Sequence, residues 1–183
     1  MEEKRIIGLL GTIGSGKTYV SDYLVKNYGF YKISMGDLIR EKTIKLGIER
    51  TRENLIKVAN EYREKYGADY WINEVFKKVK NSMNKNILID GVRTPIEAET
   101  AKKNKAILIF IDAKPILRYK RLIKRAREGE AKKTIRDLEK EDNKEWKIFN
   151  FRETLKYINY KLLNNSTKEN LENNIESLLK KII

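Results

Sequence analysis

Eight consecutive residues, Gly11-Thr12-Ile13-Gly14-Ser15-Gly16-Lys17-Thr18, carry the most specific chemistry in the chain. They match G-x-x-x-x-G-K-[S/T], a loop that wraps a run of phosphates. Gly11, Gly14 and Gly16 reach backbone angles that other residues resist, so successive N–H groups turn inward around an anion. In such a loop Lys17 reaches the β- and γ-phosphates and the Thr18 hydroxyl ligates Mg²⁺. The competing account is a glycine-rich turn that binds nothing. Its surroundings argue against that: the apolar run Arg5-Ile6-Ile7-Gly8-Leu9-Leu10 reads as a buried strand, and Thr18 to Leu24 has helical spacing. Phosphates would then lie at a helix N-terminus, where free N–H groups and the dipole favour negative charge.

Three further groups extend this chemistry. Asp90 ends the aliphatic run Ile87-Leu88-Ile89, the form of a carboxylate that holds Mg²⁺ directly or through water. Arg40 and Arg93 each follow the end of a different strand, and a guanidinium fork suits bidentate contact with a second phosphorylated ligand. The basic stretch Arg118, Arg121, Arg125 and Arg127, with Lys132, Lys133 and Arg136 beyond Gly129, is a third source of positive charge. Arg118, Arg121 and Arg125 fall at i, i+3 and i+7, so one helical face can aim several of them inward. Some of this face is expected simply to be solvated.

The elements that must position these groups alternate. A strand over Gly29 to Ser34 leads into a helix from Met35 that Gly47 closes. Thr51 caps a helix to about Tyr66, and another runs from Ala68 to about Val79, its Tyr70 and Trp71 read as core rather than as base-stacking rings. Asn86 to Asp90 is a buried strand, after which Thr94, Pro95 and Glu97 form a capping box. Ala106 to Asp112 is the next strand, Pro115 opens the basic helix, helical spacing resumes at about Thr134, Ile158 to Leu163 is a last strand, and Asn164 to Thr167 cap a final amphipathic helix. This order predicts an α/β sandwich on a parallel sheet, with Gly11–Thr18, Ser34–Arg40, Asp90–Arg93 and Asp112 meeting at the carboxyl ends of the strands.

Composition narrows the chemistry. With 183 residues the chain fits one domain. It has no cysteine and no histidine, which excludes disulfides, thiolate or imidazole zinc sites and histidine-based triads. No apolar run approaches membrane-spanning length, and the N-terminal run reads as the phosphate-loop strand rather than a secretory signal, so a cytoplasmic protein is expected. The net charge of +14 has three readings: nucleic-acid binding, a lysine-rich surface, or local phosphate grip.

The stretch Ser34-Met35-Gly36-Asp37-Leu38-Ile39-Arg40 resembles the Thr-Gly-Asp-Leu-Leu-Arg segment of adenylate kinases, and Asp90-Gly91-Val92-Arg93-Thr94 is similar to their Asp-Gly-Phe-Pro-Arg, one residue shorter. The loop with its following helix is also similar to dephospho-CoA kinases. Nearly the whole chain resembles the P-loop nucleoside-monophosphate-kinase-like superfamily, nearest to archaeal adenylate-kinase-related proteins. The resemblance implies a three-layer α/β/α P-loop fold with a five-stranded parallel sheet in the order 2-3-1-4-5. It implies one domain over 1–183, with residues 35–80 as the region binding the second substrate and 118–136 as a short helical lid. The implied activity is transfer of the γ-phosphoryl of ATP, with Mg²⁺ held by Thr18 and Asp90, to a small phosphorylated substrate, foremost a (deoxy)nucleoside monophosphate. The donor would be bound by Gly11 to Thr18, Arg121 and Asn165, with Asn164 beside it. The second substrate would meet Ser34, Asp37, Arg40 and Arg93. Lys17, Arg93, Arg121, Arg125 and Asp37 would carry catalysis, Asp37 as base if a hydroxyl is phosphorylated. Dephospho-CoA kinase is one alternative; a nucleic-acid-associated ATPase is another from a different class. A monomer or homodimer without membrane attachment is expected.

Overall fold

Short aliphatic runs bounded by polar residues pair side by side because neither face can remain in water. Among the described residues β1 (Arg5–Leu10), β3 (Asn86–Asp90) and β4 (Ile107–Asp112) do so, flanked by the half-exposed edge strands β2 (Tyr31–Ser34) and β5 (Tyr160–Leu163). The structure, a computed structural model, describes residues 4–125 and 133–182. All strand pairs are parallel and the order is β2-β3-β1-β4-β5, as expected from the sequence. The register sets Leu9 beside Asp90 and Ser34 beside Asp90, so the ends of β1, β2 and β3 coincide.

Alternation along the strands divides the core in two. Ile6, Leu10, Ile33, Ile87, Ile89, Leu108 and Phe110 meet Val58 of α3 (Arg52–Tyr66), Trp71, Ile72 and Val75 of α4 (Tyr70–Asn81) and Ala98 of α5 (Pro95–Lys103). On the opposite face Ile7, Leu9, Leu88, Ile109 and Ile111 meet Val20 and Leu24 of α1 (Lys17–Tyr28) and Leu171, Ile175 and Leu179 of α9 (Lys168–Ile182). Trp71 is core: it is 2% exposed and its indole N–H donates to the Ala59 carbonyl at 3.0 Å. Tyr70 lies at the rim of that core, stacked on Tyr66.

The caps follow local chemistry. Ser34 starts α2 (Met35–Lys45), Thr51 starts α3, and Thr94 with Glu97 forms a complete capping box at α5. α6 (Pro115–Arg125) carries the basic stretch, and α7 (Ile135–Ile148) opens with a second box between Thr134 and Asp137. Two details depart from the sequence reading. A one-turn helix α8 (Phe151–Thr154) and a following tight turn to Tyr157 lie between α7 and β5, too short to show any period. β5 also begins at Tyr160 rather than Ile158. Asn159 supplies its side-chain oxygen to the Leu108 N–H at 2.9 Å, so that ladder position is filled by a side chain rather than by a strand residue. Among the described residues no helix is long and apolar enough to cross a membrane.

Candidate active site

The cradle follows β1 directly and leads into the N-terminus of α1. Gly14 and Gly16 have φ of 74° and 102°, a region costly for residues with a Cβ. Space is equally restrictive: a Cβ on Gly14 would stand 2.8 Å from the Arg118 carbonyl oxygen, and one on Gly16 would collide with the Asn164 side-chain nitrogen. Gly16→Ala is therefore expected to weaken nucleotide binding at least tenfold, since about 1–2 kcal/mol of backbone strain adds to the loss of Asn164's contact. Equilibrium binding of a fluorescent ATP analogue checks this, and wild-type affinity would refute it.

Inside the loop, Ser15 is fully buried and its hydroxyl has no hydrogen-bond partner among the described residues. A polar atom left this way in a glycine-lined cradle fits a phosphate oxygen. Lys17 bends back onto the loop, donating to the carbonyls of Gly11 at 2.5 Å and Thr12 at 3.2 Å. Burial first, then the nearby Arg93 guanidinium, push its ammonium down from 10.5 to about 8, opposed by Asp90 and Glu145. Four charged groups besides Lys17 thus bear on the place where a γ-phosphate would lie: Arg93, Asp90, Glu145 and Arg118.

Asp90 closes β3 and pairs with Lys32 of β2 at 3.3 Å. Thr18 lies exposed in the first turn of α1. Among the described residues no cluster of three or more acidic, histidine or cysteine side chains could hold a metal unaided. One hydroxyl and one carboxylate instead suit Mg²⁺, a hard ion that takes most of its oxygens from water and phosphates.

On the β2–α2 side, Ser34 is occupied as a cap, its hydroxyl accepting the Asp37 N–H at 3.2 Å. Arg40 donates through Nε to Asp37 Oδ1 at 3.1 Å, and its Nη2 bonds the same oxygen, so these two expected ligands of the second substrate pair with each other, both exposed. Arg93 is held differently. Its N–H donates to Glu97 Oε2 at 2.9 Å, its carbonyl accepts from Thr154 Oγ1 at 3.0 Å, and its exposed guanidinium lies 5.2 Å from the Phe149 ring.

Arg118, first on the basic helical face, faces inward but is committed to the protein itself. Arg118 is 3% exposed, makes a two-pronged bond to Asp142 at 2.7 and 2.6 Å, and donates to the carbonyls of Ala113 and Ile13. The helical face runs beneath the cradle at this turn, and an acidic partner on α7 neutralises the charge. Arg121, one turn on, donates to the carbonyl and side-chain oxygens of Asn164 at 2.9 and 3.2 Å, while its Nη1 is buried without a partner among the described residues. Arg125 is exposed at the end of α6. Arg127, Gly129 and Lys132 lie outside the described residues. Asn165 gives its side-chain oxygen to the Lys114 N–H at 2.7 Å, and buried Asn164 donates to the Ser15 carbonyl at 2.8 Å. The Asn pair thus props the cradle and the β4–α6 turn. Asp112 faces Lys161 at 2.7 Å.

Glu145 is the residue the sequence reading missed. Asp142 and Glu145 of α7 and Phe149, which caps its C-terminus, fall at i, i+3 and i+7. The first is tied to Arg118 under the cradle and the last faces Arg93. Glu145 sits between them, which agrees with its pull on Lys17.

A glycine-rich loop between β1 and α1 of a 2-3-1-4-5 parallel sheet defines a P-loop kinase-like fold. Solved structures that share this fold include the following two. Protein TT1252 from Thermus thermophilus matches with a TM-score of 0.65 and 17% identity over 100% of both chains. Shikimate kinase from Bacteroides thetaiotaomicron matches at 0.63 with 14% identity, covering 97% of each. The chain belongs to the family whose model is described as an AAA domain, which matches residues 7–148, and with it to the UPF0200 proteins: that of Thermococcus gammatolerans is 33% identical over 184 residues, covering 97% of this chain and 95% of its relative.

Proposed function

We propose that the protein is an ATP-dependent phosphotransferase whose second substrate is a small phosphorylated molecule, a (deoxy)nucleoside monophosphate. One observation carries this reading. An exposed guanidinium, Arg93, is fixed by its own peptide close enough to Lys17 to depress the lysine's pKa. Two cations from different strand ends bearing on one another, beside the Asp90 and Glu145 carboxylates, suit a place built for phosphates from two substrates. An oxygen of the monophosphate would bond to the γ-phosphorus as the bond to the β,γ-bridging oxygen breaks, and ADP would leave with that electron pair. Lys17 and Arg93 would take up the negative charge spread over the phosphoryl oxygens. Mg²⁺ held by Thr18 and Asp90 would neutralise the β- and γ-oxygens. Arg121 and Arg125 would line the donor side, and Arg40, with Asp37, the monophosphate side.

The test is a panel of ribo- and deoxynucleoside monophosphates, dephospho-CoA and shikimate, the last two offering a hydroxyl instead of a phosphate. ADP formation is compared with a control lacking any second substrate. Arg93→Ala is expected to lower substrate-dependent turnover about a hundredfold while changing ATP affinity less than threefold, the loss of one preorganised donor to the transferring group. No ADP above the control with any panel member would sink the reading.

A further inference from the structure

Glu97 is buried, 1% exposed, and its two oxygens hold different parts of the molecule. Oε2 accepts the N–H of Thr94 at 3.1 Å and of Arg93 at 2.9 Å. Oε1 accepts Nη2 of Arg63 at 3.2 Å, from α3, 34 residues earlier. A capping box needs only the Thr94 bond, and a neutral glutamine would serve. Burying a full charge for a cap alone is costly, since a carboxylate loses its hydration. The two bonds beyond the box reach the peptide that carries Arg93 and the helix expected to border the second substrate. From the other side Thr154 of α8 holds the Arg93 carbonyl, and Phe149 lies under its guanidinium.

We propose that Glu97 is a positioning residue for phosphoryl transfer, its carboxylate fixing the Arg93 turn with one oxygen and tying α3 to that turn through Arg63 with the other. This rests on the reading of Arg93 given above. α3 and the Arg93 turn then form one mechanical unit, so a second substrate that orders α3 also sets the arginine that meets the transferring group. Arg63 thereby belongs to the site without touching either substrate; its Nε is a buried atom with no hydrogen-bond partner among the described residues, so Glu97 is its principal anchor.

The experiment compares Glu97→Gln, Arg63→Met, the double variant and Arg93→Ala, all in the full chain, well below each variant's melting temperature. The reaction is transfer to the best substrate of the panel. Glu97→Gln and Arg63→Met are each expected to lower kcat and raise the second substrate's KM, together about tenfold to a hundredfold in kcat/KM, with the Kd for ATP within twofold. The double variant should be no worse than the worse single one, because both act through one contact. Arg63→Lys should recover part of the loss by restoring a charge opposite Oε1. A purely structural role would lower the melting temperature and leave kcat and KM alone; that result, or additive losses, overturns the proposal. If Arg93→Ala itself leaves turnover unchanged, the reading of Arg93 fails, and the positioning role falls with it. If Arg93→Ala is damaging and the Glu97 and Arg63 variants are not, the positioning role alone fails.

Discussion

Lys17→Met is expected to lower phosphoryl transfer about a hundredfold to a thousandfold and to flatten the alkaline limb of the stability profile. The catalytic part follows from losing a preorganised charge at the transferring group. The pH part follows from the lysine's surroundings. Its folded pKa is about 8, lowered by burial and then by Arg93, against 10.5 in the unfolded chain. Between about 8 and 10.5 the unfolded state binds more protons than the folded one, so stability rises with pH across that window. Below about 8 the cost of the buried ammonium is present in full, at most about 3 kcal/mol. Urea denaturation at pH 7.5, 9 and 10.5 should show the wild type gaining stability relative to Lys17→Met across the window, since the raised tyrosines Tyr19, Tyr23 and Tyr119 lower both alike at the top of it. A bound triphosphate reverses the bias, because an anion beside Nζ favours its charged form. ATP binding at pH 8.5 should therefore take up a proton in the wild type, read by calorimetry in two buffers of different ionisation enthalpy, and take up none in the variant. Identical stability profiles would mean that Lys17 is solvated rather than tucked under the loop.

What the sequence made legible was local or periodic. The glycine loop, the caps Thr51 and Thr94, and the aliphatic strands each depend on residues within a few positions of one another. The sheet order is recoverable from them together with the family resemblance. What stayed hidden concerns partners far along the chain. Arg118 and Arg121 share a helical face with Arg125, and nothing local says that Asp142 waits 24 residues on, or Asn164 43 residues on, to claim them. Glu145 becomes visible only when the phase of α7 is fixed by Asp142 and Phe149. Glu97 was read as a cap, which it is, while its second oxygen answers to a helix 34 residues earlier. The Asp37–Arg40 pair is the opposite case: i, i+3 spacing made their mutual attraction predictable, and their exposure leaves it readily broken by an anion.

Asp142→Ala is expected to be the most destabilising of the changes considered, about 3–5 kcal/mol, and to weaken ATP binding at a distance from the phosphates. Both side chains of the pair are about 95% buried, at 4% and 5% exposure, so removing the carboxylate strands a guanidinium out of water. It also removes the acceptor of the Tyr119 hydroxyl at 3.0 Å, a group whose pKa burial and that bond push up to about 12. At about 2–4 °C per kcal/mol for a chain of this size, the melting temperature should fall by roughly 10 °C. Stability alone does not explain the binding loss. Arg118 reaches past Asp142 to the Ile13 carbonyl at 3.0 Å, so the pair also fixes the middle of the phosphate loop. The double replacement Arg118→Met with Asp142→Leu separates the two effects. Apolar side chains of similar volume often match a buried ion pair in stability, so the double variant should melt well above Asp142→Ala, short of the wild type by the lost acceptor of the Tyr119 hydroxyl. It should still bind ATP at least tenfold more weakly, because nothing then holds Ile13. A double variant with wild-type affinity would show that the pair only packs α6 against α7, and that the loop keeps its shape from its glycines and Asn164 alone.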